Sequence, residues 1–330
     1  MNNKVIYRSL CQEHKEIPLF MQTWWLDAAS GENWDVIFSK NGDDIVGFFI
    51  FSYQEKYGKK IITNHPLTQY AGPYLFYPEG LNKSELHSFE NKVYTSLIEQ
   101  LNAKNFDFIE INCHHGFKNH QPFFWSGYKQ TTKYTYVLEN ISDRVALLKD
   151  MSYSQRGKRI KKGSDDYIFS LDLPAEVFYD FYKQNLESQD KTIFYSKKYF
   201  LRLYNAAKER NQGQIISIYN KENELLAALW TVWDSEFAYN MIMTSDKKKK
   251  CSEGTTLLIW ETLDFLIDKT KNYDFEGSMI KGVALRNQSY GATAVPYHSI
   301  SKSNSFIMSA WKKYQEWKNQ ENIKKTSLKK

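Results

Sequence analysis

The chain has 330 residues, 44 Lys+Arg against 38 Asp+Glu, and an aromatic load of 23 Tyr, 21 Phe and 9 Trp. That is enough for two ordinary domains, and the aromatics both fill cores and offer flat faces for an extended groove. Seven Lys against two Glu from Trp311 to Lys330 put most of the net charge of +6 in a basic tail, so general nucleic-acid binding does not follow and DNA is not expected as a partner.

Cys11, Cys113 and Cys251 are far apart and outside any C-x-x-C, the usage of a reducing compartment. No apolar run approaches bilayer length; Ile45 to Phe51 is the longest. The expectation is a cytoplasmic protein without a transmembrane segment.

In chain order, Trp34–Ser39, the turn Asn41-Gly42-Asp43 and Ile45–Phe51 predict a β-hairpin. Asn82 with Glu85 three residues on predicts a helix start, continued by Leu86, Phe89, Val93, Leu97 and Leu101 at helical spacing. Phe106–Asn112 reads as a buried strand. Residues 141–163 read as the hinge between halves, with a dense basic run, and Pro174 as the first residue of another helix. Gln214–Tyr219, a turn near Lys221-Glu222-Asn223, and Leu225–Trp233 then repeat the hairpin. Phe237–Met243 adds a strand, and a helix starting near Gly254 leads to the strand at Tyr273.

This second layout resembles the first in its letters as well. Phe106-Asp107-Phe108 matches Tyr273-Asp274-Phe275, and Gly127 in Ser126-Gly127-Tyr128 matches Gly291 in Ser289-Tyr290-Gly291. The offsets are 167 (274 − 107) and 164 (291 − 127), about half the chain, which predicts a duplicated α/β unit.

Several chemistries lose their support. There is no G-x-S-x-G, no G-x-x-x-x-G-K-[ST], no G-x-G-x-x-G and no H-E-x-x-H. Cys113, His114, His115 and His120 could suggest a metal, but neighbours on a strand end point to opposite faces, so surface histidines are expected.

Tyr273-Asp274-Phe275-Glu276-Gly277-Ser278-Met279, followed by Gly282–Arg286, Ser289-Tyr290-Gly291 and Pro296-Tyr297, resembles the C-terminal signature of FemABX-like transferases, within the GNAT (Gcn5-related N-acetyltransferase) fold superfamily. Pro66–Pro73 resembles that family's Gly-Pro loop beside the acceptor groove, and Tyr153–Lys162 the basic helix opening its second domain. The resemblance spans roughly residues 30 to 302. It implies an α/β fold with mixed sheets, as two tandem GNAT-like domains around a central cleft. The domains would be 1–140 on the acceptor side and 141–310 on the donor side, with a basic tail at 311–330. It implies transfer of an acyl or aminoacyl group to an amine of a cell-wall or polysaccharide precursor. No tightly bound cofactor is expected; the donor is acyl-CoA or aminoacyl-tRNA. Two alternatives stay open: an acyl-CoA-dependent N-acyltransferase on an amino sugar, and a non-catalytic binding module that keeps the groove.

The chain departs from the family in two places. Cys251-Ser252-Glu253-Gly254-Thr255-Thr256 keeps one glycine of the usual pyrophosphate loop, so Gly254 and Thr255 remain as donor-phosphate candidates through helix-start N–H groups. Arg286-Asn287 stands where tRNA-using members carry Phe-Lys, and the coiled-coil arm of many cross-bridge enzymes is absent.

Acyl transfer to an amine needs a neutral amine, a stabilised oxyanion and aligned reactants. Glu276, just beyond an apolar strand core, is the candidate proton acceptor, or else a cap for the next helix. Arg286 is the candidate oxyanion or phosphate group, or else a surface arginine. Gln69, Tyr70 and Gly72 would line the acceptor side, and Arg156 and Arg159, three apart, would meet a polyanion. Tyr195, Trp230, Tyr239, Asn240 and Ser278 complete the substrate-binding set, with core packing as the other reading of Trp230.

Overall fold

The structure is a computed structural model and describes residues 2–56, 58–155, 167–246, 248–249, 252–277, 279–310 and 312–314. The first half runs α1 (Asn3–Glu13), a 3₁₀ turn (Leu19–Met21), α2 (Thr23–Ser30), β1 (Trp34–Asn41), β2 (Asp44–Lys56), β3 (Lys59–Thr63) and β4 (Gly72–Leu75). It continues with α3 (Lys83–Ala103), β5 (Phe108–Asn112), α4 (Gln121–Trp125) and β6 (Lys129–Leu138). The second half runs α5 (Arg144–Asp150), β7 (Ile168–Ser170), α6 (Ala175–Glu187), α7 (Lys197–Lys208), β8 (Gly213–Tyr219), β9 (Leu225–Trp233) and β10 (Phe237–Ser245). It ends with α8 (Ser252–Leu266), β11 (Asn272–Asp274), α9 (Lys281–Ser289) and β12 (Thr293–Ser303).

Local chemistry places these elements where the sequence does. Gly42, at φ 63°, turns the β1–β2 hairpin, and Asn223, at φ 61°, the β8–β9 hairpin. The Asn82 side chain accepts from the N–H groups of Ser84 and Glu85 at 2.9 and 3.0 Å, while Glu85 accepts from the Asn82 N–H at 2.9 Å. This reciprocal box starts α3. Val93, Leu97 and Leu101 then lie on its buried face. Pro174 caps α6 from one residue outside rather than occupying its first turn, because its ψ of 141° is extended.

The twelve strands form one mixed sheet in the order β1-β2-β3-β5-β12-β6-β11-β10-β9-β8-β7, with β4 beside β2. The two halves therefore exchange their last strands: β12 pairs with β5 of the first half, and β6 with β11 of the second. The exchange obeys a pseudo-two-fold. Asp274 faces Val137 and Glu110 faces Ser301, so both partners are displaced by 164 positions (274 − 110 and 301 − 137). Lys133 faces Tyr297 in the β6–β12 pair, again 164 apart (297 − 133), so this pair lies on the axis. Gly127 and Gly291 are equivalent turns after α4 and α9, at φ 81° and 83°.

The Asp-Phe match used an offset of 167 and is three residues out of this register. Asp107 precedes β5 and pairs with Lys59 at 2.9 Å, whereas Asp274 ends β11 and is buried. The expected hinge also differs in its first part. Ile141, Leu147 and Met151 pack into the core under α8, because their apolar side chains have a sheet face to cover. A second core is common to both halves, joining Trp25, Trp34 and Phe49 to Phe178, Phe200 and Trp230. No helix among the described residues is long and apolar enough to cross a membrane.

Candidate functional site

Strands β10 and β11 are parallel and pair over three residues, Phe237–Asn272, Ala238–Tyr273 and Tyr239–Asp274. There β11 stops while β10 continues to Ser245, and a gap opens past the carboxyl end of β11. Crevices of this kind are where ligands bind α/β sheets. The walls come from both halves. Tyr239, Asp274, Glu276, Gly277 and Tyr297 meet Gln69 and Tyr70 from the segment before β4, Cys113 and His115 beyond β5, and Thr135 on β6. The free volume is about 30 Å³, room for the reacting end of a substrate rather than the whole.

Two carboxyls sit on the floor. Asp274 Oδ1 accepts from the Thr135 hydroxyl and, at 2.7 Å, from the Glu276 N–H. Burial pushes Asp274 up to about 6, against the lowering effect of those two donors. Glu276 takes a left-handed backbone, φ 62°, which a non-glycine residue holds only when its surroundings enforce it. The residue is partly exposed, but its Oε1 is sealed from solvent and has no hydrogen-bond partner among the described residues. Burial first, and the neighbouring Asp274 charge second, raise its pKa well above the usual carboxylate range.

A Cβ on Gly277 would lie 2.7 Å from the Tyr134 carbonyl oxygen and 3.1 Å from the Tyr297 hydroxyl, so this approach to the pocket requires glycine. Tyr297 is pushed up to about 12 by burial, then by Glu276 and Asp274. The Tyr70 and Tyr239 hydroxyls meet at 2.8 Å, and burial keeps both protonated.

His114 and His115 are a correction. They are half-buried rather than on the surface, and their ring centroids lie 4.0 Å apart, tilted by 40°, rather than pointing to opposite faces. The strand has already ended at Asn112, so its alternation no longer governs them. His114 packs edge-on to Tyr70 at 4.7 Å. Burial lowers both, His115 to about 4, so the rings are neutral. No group of three or more His, Cys, Asp or Glu among the described residues is arranged to hold a metal.

Of the residues expected from sequence, Gln69, Tyr70, Tyr239 and Glu276 come together in the pocket. Gly72, φ 92°, packs behind the wall, where a Cβ would lie 3.2 Å from Ile111. Trp230 is fully buried and stacks on Trp25 at 6.3 Å in the shared core. Asn240 is buried next to Tyr239, and strand alternation turns it to the other sheet face. Tyr195 packs with Tyr199 and Tyr179 beside α7, away from the gap. Arg286 is exposed on α9 and donates to the Asn287 side chain at 3.1 Å. Gly254 and Thr255 lie in the first turn of α8. Arg156, Arg159 and Ser278 lie outside the described residues.

Asp274, Thr135, Cys113, His115, Gly277 and Tyr297 are additions. A carboxylate set between Tyr273 and Phe275 was a signal for Asp274. Tyr297 stood in the quoted signature without a role, and Thr135 carried no signal, since strand exchange alone brings it here.

No protein-family model and no curated protein matches the chain. Solved structures do. The crystal structure of FemX superposes with a TM-score of 0.64 at 12% identity, covering 87% of this chain and 95% of that one. A tandem GNAT protein from the clavulanic acid biosynthesis pathway gives 0.51 at 9%, covering 82% and 83%. The C-terminal domain of a putative lysylphosphatidylglycerol synthetase from Agrobacterium fabrum gives 0.51 at 8%, covering 82% and 85%. Identities this low speak to fold: the chain has the FemX-like, tandem GNAT architecture.

Proposed function

We propose that the chain is an acyl- or aminoacyltransferase that joins an acyl group to an amine of a cell-wall or polysaccharide precursor at the Asp274–Glu276 pocket. The observation that carries this reading is a buried carboxyl pair at a strand-end gap, walled by both halves of a FemX-like fold. In this reading residues 1–140 chiefly hold the acceptor and 141–310 the donor, in the cytoplasm, where activated donors are made.

The incoming ammonium gives a proton to the carboxyl pair, which titrates as a unit. The freed amine nitrogen attacks the donor carbonyl, forming the N–C bond. The C–O bond of an aminoacyl-tRNA ester, or the C–S bond of an acyl-CoA thioester, then breaks as the nitrogen gives up its second proton; the leaving group takes up one of the two protons and the other passes through the carboxyl pair to solvent. Asp274, near 6, is matched to proton acceptance at neutral pH. The phenols of Tyr239 and Tyr297, kept protonated by burial, are the hydroxyl donors available to the oxyanion. The donor is a consumed substrate, so the scheme uses no resident cofactor.

The test is transfer by the purified chain from a panel of acyl-CoA thioesters and aminoacyl-tRNAs to amine-bearing precursors, read as amide product by mass. One donor class should yield product, and Asp274→Asn should lower kcat on the order of 10²-fold. Absence of product with every donor would overturn the transferase reading in favour of a binding module.

A further inference from the structure

We propose that Glu276 is the receptor for a primary ammonium group of the substrate, its Oε1 holding in the second half what Asn112 holds in the first. This deepens the transferase reading and rests on it.

The argument comes from the pseudo-two-fold. At the offset of 164, Asp274 corresponds to Glu110, Glu276 to Asn112 (276 − 112), and Tyr297 to Lys133. In the first half, Lys133 Nζ donates to Asn112 Oδ1 at 2.9 Å, and Lys312 pairs with Glu110 at 3.3 Å. Lys133 is half-buried, and its pKa is lowered by burial against the raising effect of Glu110. The chain thus supplies its own ammonium to the first copy of the site.

In the second half that lysine is replaced by Tyr297, a neutral hydroxyl, and the amide of Asn112 by the carboxyl of Glu276. The space is left open, and Glu276 Oε1 has no hydrogen-bond partner among the described residues. An unpaired buried carboxylate is costly and gains most from an opposite charge that also donates hydrogen bonds; an ammonium brings three N–H donors.

The surroundings fit a cation. Asp274 faces the pocket from the end of β11, Thr135 from β6, Tyr297 from β12, Tyr239 from β10, and Cys113 and His115 from beyond β5. Burial keeps the histidine neutral and the thiol and both phenols protonated. The nearby cation, Lys133, is engaged by Asn112. A free volume of about 30 Å³ has room for an ammonium group. The ammonium belongs either to the acceptor or, as an α-ammonium, to an aminoacyl donor.

The experiment titrates the full chain with n-butylamine, and with n-butanol as its uncharged counterpart, by NMR. The amine should bind at least tenfold more tightly, and Glu276→Gln should abolish the difference. Because Glu276 must ionise to pair, amine affinity should rise about tenfold per pH unit up to its raised pKa. In Glu276→Gln this rise should be lost together with the preference for the amine. In the transfer assay, n-butylamine should compete with the acceptor if the ammonium is the acceptor's, and with the donor if it is an aminoacyl group's. Equal binding of butanol, or unchanged amine affinity in Glu276→Gln, overturns the assignment. So does a Glu276→Gln enzyme with reduced kcat and unchanged KM for the amine-bearing substrate, which leaves the transferase reading in place. Amine binding without transfer from any donor sinks that reading and leaves this one.

Discussion

Beyond β5 the first half is closed from within: Lys133 reaches Asn112, and Lys312 reaches Glu110. Beyond β11, in the same sheet register, the second half keeps a gap with two desolvated carboxyls and, among the described residues that line it, no cation. The duplicated scaffold preserves strand pairing to the residue while side chains at equivalent positions change: Asn112 gives way to Glu276 and Lys133 to Tyr297. Backbone register is fixed by hydrogen-bond geometry and burial, whereas the pocket chemistry depends on a few side chains that can change without disturbing the ladder.

The comparison can be broken most directly by copying the closed copy onto the open one. Glu276→Asn combined with Tyr297→Lys should reduce transfer by roughly 10³-fold or more, since it removes one carboxyl of the pair and fills the pocket. Thermal unfolding should stay near that of the parent, and transfer that persists in such a folded variant would break the contrast between halves.

The next largest effect concerns pH. Below about 6 Asp274 becomes protonated, so kcat/KM should fall about tenfold per unit, with the inflection absent in Asp274→Asn. For stability, the folded pKa of about 6 lies above an unfolded value near 3.9. The contribution of Asp274 is therefore present below about 4 and lost as pH rises through 6. Asp274→Asn should be more stable than the parent at pH 8, by at most about 3 kcal/mol, with the advantage gone by pH 4. Its lookalike in the sequence, Asp107, has the opposite sign: hydrogen bonding to Lys59 lowers its pKa, so whatever it contributes is lost as pH falls. Denaturant unfolding of both Asn variants across pH checks the pair.

The equivalent glycines sharpen the comparison further. Gly291→Ala should destabilise by about 2–3 kcal/mol, since it combines a positive φ with a Cβ 2.9 Å from Asp150. Gly127→Ala has the same φ but nothing within 4 Å, and should cost about 1 kcal/mol. The smallest effect is Lys133→Ala, at about 1 kcal/mol from a lost hydrogen bond, partly restored by n-butylamine in the vacated space. Thermal shift with and without the amine measures it.

Much of this molecule was legible from its letters. The hairpin turns at Gly42 and Asn223, the capping box of α3 and the paired Gly127 and Gly291 all rest on contacts within a few residues. Glu276 was found because flanking residues marked a strand end, Gln69 and Tyr70 because Pro66–Pro73 resembles a family loop, and Tyr239 because it lies on a second-half strand. Trp230 and Arg286 show the converse, since an aromatic or a charge in a strand or helix does not say which face it lies on until that face has a neighbour.

What the sequence determined, then, was the order of the elements, the doubling of the unit and one acid of the pair. The exchange of β6 and β12, the meeting of Thr135 with Asp274 and of Tyr297 with Glu276, and the filling of one copy by Lys133 were decided by tertiary structure. Strand partners such as Asp274 and Val137 or Ser301 and Glu110, 137 (274 − 137) and 191 (301 − 110) positions apart, leave no local trace. A two-letter identity misplaced the register by three positions because short matches between diverged copies are weaker constraints than a continuous hydrogen-bonded ladder.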